Sequence, residues 1–204
     1  MIRTTRIIAL SLAAAFLLPH TAAAAGKDSL RADMRKLWED HITWTRLFIV
    51  SALGDLPDKD ATTKRLLQNQ VDIGNAIKPF YGAAAGDKLS ALLKDHILIA
   101  ADIVTAAKAG DNPKLESSKT RWVANADEIS AFLSGANPTH WPAAPMKAMM
   151  REHLDLTTAE LMARLNKDWV ADVAAYEKIH TQILHMADML TDGIAKQHAA
   201  KLGP

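Results

Sequence analysis

The stretch DKLSALLKDHILIAADIVTAAKAG, residues 87–110, decides how the rest of the chain is read. Leu89, Leu92, Leu93, Ile99, Ala100 and Ile103 recur at steps of three and four, the spacing that lines one face of a helix. Asp87 lies at its start and Gly110 closes it. In the middle of the apolar face stands a titratable residue, His96, with hydrophobic neighbours one turn away on either side.

The same pattern recurs outward in both directions. Upstream, a first helix is expected from about Ser29 to Ala52, stopped by Gly54 and Pro57. Asp60 can cap a second, which continues to about Phe80 and ends at Gly82. Downstream, Asn112-Pro113 sets a capping residue before a proline and opens a fourth helix that stops at Gly135. Asn137-Pro138 begins the longest irregular stretch, and Pro142 and Pro145 lie in it or in the first turn of a fifth helix running to about Leu165. Asn166-Lys167-Asp168 reads as a tight turn, with Asp168 capping a sixth helix that extends towards His198 and bends near Gly193. No segment sustains period-two alternation, and short loops imply antiparallel neighbours. The expected fold is all-α, an up-and-down antiparallel bundle of about six helices in a single domain over residues 26–204.

Composition agrees. Hydrophobic residues make up 49% of the 204 while aromatics are only 5%, a diet suited to helix packing rather than sheets. The chain has no cysteine, which excludes disulfides, thiolate metal sites and covalent c-type haem attachment. Residues 1–25 read as a cleavable signal peptide: Arg3 and Arg6, the apolar run Ile7–Leu18, Pro19, then the small residues Thr21-Ala22-Ala23-Ala24-Ala25. Cleavage before Gly26 or Lys27 would release a periplasmic or secreted protein with no integral membrane segment. Setting Arg3 and Arg6 aside leaves 22 basic residues against 23 acidic ones. Such a surface argues against nucleic acid as a partner.

Four histidines carry the functional expectation. His41 sits among Leu37, Trp38, Trp44 and Phe48; His153 among Met146, Met149, Met150 and Leu156; His180 among Val173, Tyr176, Ile183, Leu184 and Ala187. With His96, all are expected to point inward and, at about 1.5 Å per residue, to meet within one or two turns of a common mid-plane. Gln70 and Asn125 fill the same layer from the other two helices. Neutral imidazole is the commonest side-chain ligand of Zn, Cu, Ni or Fe. Asp102, Glu160 and Glu177 lie near enough in sequence for supporting roles, Glu177 preceding His180 by the Glu-x-x-His spacing of di-iron bundles. A ferritin-like site needs two such motifs, and one is present. Asp40-His41-Ile42, Asp95-His96-Ile97 and Glu152-His153-Leu154 echo one another and hint at a duplicated helical hairpin.

The remaining candidates have blander readings. His185 falls among polar neighbours at the rim, the run Met146, Met149 and Met150 is ordinary core before it is a copper site, and Arg46 and Arg121 suit surface or ion-pair roles. No phosphate loop, Gly-x-Ser-x-Gly elbow or His-Glu-x-x-His occurs, so no enzyme is expected.

The runs Leu66–Ile77, Asp95–Asp102 and Trp122–Ile129 are similar to those of an uncharacterised family of small exported bacterial all-helical proteins, across nearly the whole mature region. Some members carry glycosyltransferase or acetylglutamate kinase labels, which imply α/β nucleotide-binding folds and conflict with the helical pattern. The expectation is an exported bundle that binds a metal ion, or secondarily haem, through His41, His96, His153 and His180, for sequestration, sensing or delivery. The alternative is a non-enzymatic envelope interaction or stress-related module, with an envelope protein as partner, in which the layer only fixes helix register.

Overall fold

A computed structural model describes residues 21–202; residues 1–20, most of the expected signal peptide, lie outside it. Among the described residues there are six α-helices, a closing 3-10 turn and no strand. They are α1 (Thr21–Leu53), α2 (Lys59–Tyr81), α3 (Ala83–Ala109), α4 (Asn112–Ala136), α5 (Ala143–Leu165) and α6 (Trp169–Gln197), with the turn at Ala199–Lys201. The all-α antiparallel bundle is therefore present.

Helix ends follow local chemistry. Asp168 accepts from the Ala171 amide at 3.0 Å and caps α6 as expected. At α4 the cap is Asp111, accepting from Lys114, while Asn112 is already helical. Helix α2 starts one residue before Asp60, because the backbone is already in the right-handed helical region at Asp58; Asp60 occupies the first turn instead of capping it. α1 begins at Thr21, well before Ser29, so Thr21–Ala25 continue the helix.

Each helix packs on the next, and α6 returns to α1, closing a ring. The odd-numbered helices α1, α3 and α5 also touch one another across the centre. Their inward residues match in depth. Met34, Leu89 and Met146 are all buried, as are Trp38, Leu93 and Met150, then Ile42, Ile97 and Leu154, then Ile49, Val104 and Leu161. Members of each trio are separated by the same two intervals, from 34 to 89 and from 89 to 146. Those intervals also link the left-handed residues Asp55 (φ 52°), Gly110 (φ 68°) and Lys167 (φ 59°), one in the turn of each hairpin. The molecule is thus three copies of one helical hairpin arranged around a pseudo-threefold axis. The expected duplication is a triplication.

The irregular stretch between α4 and α5 is held firmly. Asn137 Nδ2 donates to the Gly193 carbonyl at 2.9 Å, and buried Trp141 packs against Gly193, where any Cβ would collide with the indole nitrogen. Glycine there allows ring and helix to touch.

Candidate functional site

His41, His96 and His153 occupy the same depth on α1, α3 and α5 and are 3%, 2% and 5% exposed. The His153 ring centroid lies 5.8 Å from that of His41 and 6.3 Å from that of His96. Two tryptophans flank the trio, Trp38 edge-on to His41 at 5.7 Å and Trp122 against His96 at 5.0 Å.

Each histidine is paired with an amide from the even helix of its own hairpin. His96 Nδ1 meets Asn125 Oδ1 at 2.9 Å, and Asn125 Nδ2 donates to the Leu92 carbonyl at 3.1 Å. His153 Nδ1 meets Gln182 Oε1 at 3.3 Å, and Gln182 Nε2 donates to the Met149 carbonyl at 3.1 Å. The two pairs share one separation, 29 residues, and each amide reaches the carbonyl one turn before its histidine. Because the amide nitrogen is committed to a carbonyl, the amide oxygen faces the ring, and the ring nitrogen must carry the proton. Both rings are therefore fixed as Nδ1–H tautomers, with the Nε2 lone pair free.

The first hairpin repeats the arrangement with one change. Gln70, 29 residues after His41 and fully buried, stands beside its ring. Its Nε2 donates to Leu66 and Asn69, and Asn69 Nδ2 takes the contact to the Leu37 carbonyl at 3.0 Å. Gln70 Oε1 and His41 Nδ1 are both buried without a partner, so the third pair is in place but not closed.

Burial is the chief reason all three imidazoles resist protonation. It lowers His96 to about 3 and His153 to about 4, and drives His41 well below its ordinary value, with mutual repulsion adding to the effect at His96 and His41.

The other expected site residues lie elsewhere. His180 does not face the layer. Its side chain is 34% exposed, and its Nε2 meets Glu39 at 2.9 Å across the α1–α6 seam. The buried stripe of α6 runs through Ala175, Ile179, Gln182, Ile183 and Met186, while Val173, a supposed core neighbour of His180, is 54% exposed. Two positions from Gln182 is about 200° around a helix, so only one of the two can point inward. Glu177 is exposed. Asp102 is a surface partner of Arg121 at 3.1 Å. Glu160 is buried, but against Arg46 at 2.5 Å rather than at the layer.

Gln182 and Asn69 were not expected in the layer. Gln182 was legible: the interval from His41 to Gln70 and from His96 to Asn125, applied to His153, lands on it. Among the described residues no group of three or more His, Asp or Glu side chains is already arranged to hold a metal ion. No family model, curated protein or solved structure matches this chain, so the site is read from its own geometry alone.

Proposed function

We propose that this chain binds one transition-metal ion through Nε2 of His41, His96 and His153, for sequestration, sensing or delivery outside the cytoplasm. One observation carries the reading: the repeated histidine–amide pair, which fixes Nδ1–H and leaves a bare Nε2 on the neutral rings of His96 and His153, and which stands in place but unclosed at His41. That is the form in which imidazole ligates, its other nitrogen held by a hydrogen bond. At metal–nitrogen distances of about 2.1 Å, tetrahedral coordination would set ring centroids roughly 5 Å apart. From 5.8 and 6.3 Å, the His153 ring and those of His41 and His96 must close by roughly 0.8 and 1.3 Å. A neutral three-nitrogen set suits Zn, Cu, Ni or Fe(II) over Mg or Ca. The Arg3 and Arg6 leader supports export.

The wider spacing of the rings favours a second reading, an envelope interaction module whose polar layer fixes helix register. Elemental analysis of protein purified from periplasm separates them. Stoichiometric metal, lost in His41→Ala, His96→Ala and His153→Ala but kept in His180→Ala, supports binding. Absence of metal, with no thermal shift from Zn, Cu, Ni or Fe(II), leaves the structural layer.

A further inference from the structure

Far from the histidine layer, the outer face of α6 carries apolar side chains at its start. Trp169, Val170 and Val173 are 54%, 83% and 54% exposed, and Ala174 is exposed beside them. Val170, Ala174, Glu177 and Thr181 recur at steps of four, three and four. At about 100° per residue they form a stripe opposite the buried one through Asp172, Ala175, Ile179 and Gln182. The Arg164 guanidinium lies over the Trp169 ring at 5.3 Å and holds it in place, half bare. Single exposed apolar residues are ordinary, whereas a contiguous set around an ordered tryptophan marks a contact. Charged residues bracket the set, Lys167 and Asp168 before it and Glu177 and Lys178 after it. All four are exposed, and none joins an ion pair among the described residues.

We infer that this face docks onto the same face of a second copy of the chain, the two α6 helices antiparallel about a two-fold axis near Val173. A two-fold contact buries one patch against itself. In this register the apolar residues of both copies meet at the axis. Lys167 and Asp168 come level with the partner's Glu177 and Lys178, so each end of the contact gathers two positive and two negative charges. Lys167 pairs with the partner's Glu177, and Asp168 with the partner's Lys178. A parallel pairing would instead set each charge against its own copy, like against like. A lipid surface finds no excess of basic residues here to draw it to anionic headgroups. The overlap is about three turns of helix, which falls at the small end of specific interfaces, at or below about 1,200 Å² in all. The association is therefore reversible and depends on concentration.

The test follows sedimentation of the full mature chain from micromolar to millimolar concentration at low salt. A monomer–dimer equilibrium is expected, weakening as salt rises. Val170→Lys, at a side chain that packs on nothing in its own subunit, leaves the melting temperature of dilute protein unchanged and weakens the dimer about tenfold or more. Glu177→Lys weakens it about tenfold, since the change acts twice across the two-fold. Adding Lys167→Glu to that variant restores the dimer to within about threefold, because the exchanged charges face each other only between copies. A chain that stays monomeric throughout overturns the proposal, as does a dimer indifferent to Val170→Lys. So does a dimer lost in Glu177→Lys and not restored by the second change. A Trp169 fluorescence shift on phosphatidylglycerol vesicles, without self-association, also overturns it and gives the face to a lipid surface.

Discussion

At the residue scale, the three imidazoles are kept neutral by burial, and this couples the stability of the metal-free protein to pH. The unfolded chain protonates these histidines near 6.5, whereas folded His153 waits until about 4 and His96 until about 3. Below 6.5 the unfolded state therefore binds more protons, so stability is full above that value and is lost as pH falls. His153 alone accounts for roughly 3 kcal/mol by pH 4. Urea midpoints of metal-free protein should fall steeply between pH 7 and 4.5, and His153→Gln should flatten the slope. Breaking a pair has its own cost. Asn125→Leu strands the buried His96 Nδ1 proton and should destabilise by about 1–3 kcal/mol, read by urea unfolding at pH 7.5.

At the element scale, hairpin geometry depends on a few local devices. Asp111 and Asp168 cap the return helices of the second and third hairpins, and Asp168→Ala should cost about 1 kcal/mol in thermal or chemical unfolding. Gly193→Ala is a harsher change. The new methyl meets the Trp141 indole, already buried and bonded to the Met189 carbonyl at 3.3 Å. Overpacking of this kind costs about 1–3 kcal/mol, and tryptophan fluorescence should report the displaced ring. Gly74 and Gly86 allow a similar approach of α2 to α3, since a Cβ on either would stand within 2.5 Å of the other's carbonyl oxygen.

At the scale of the whole molecule, the ring of three hairpins is closed by a buried charge network between the first and the third. Arg46 of α1 donates to Asp172 of α6 at 2.8 and 3.0 Å and to Glu160 of α5, and Arg164 adds a bond to Asp172 at 2.8 Å. Burial pushes both carboxyls up. At Asp172 the bonds from Arg46 and Arg164 prevail and hold it below the usual range, while at Glu160 burial prevails and lifts it to about 7. Asp172→Ala removes the shared partner of two guanidinium groups and should cost about 3–5 kcal/mol. The surface pair Arg121–Asp102 is the control: Arg121→Ala should change stability by about 0.5 kcal/mol or less, both side chains being wet. His180 and Glu39 belong with such seams between helices, not with the layer.

Helix number, hairpin order and the inward aspect of His41, His96 and His153 were legible along the chain, because all three follow from periodicity and breakers within one helix. Even the partner amides obey an interval readable along the chain. The aspect of His180 escaped that reading because apolar neighbours such as Val173 need not be buried, and only packing tells which of two stripes on α6 meets the core. Tertiary structure alone decided that the histidines form a trio on a threefold axis and that Glu160 answers to Arg46. Each depends on distances between helices, and the order of residues along a chain does not contain them.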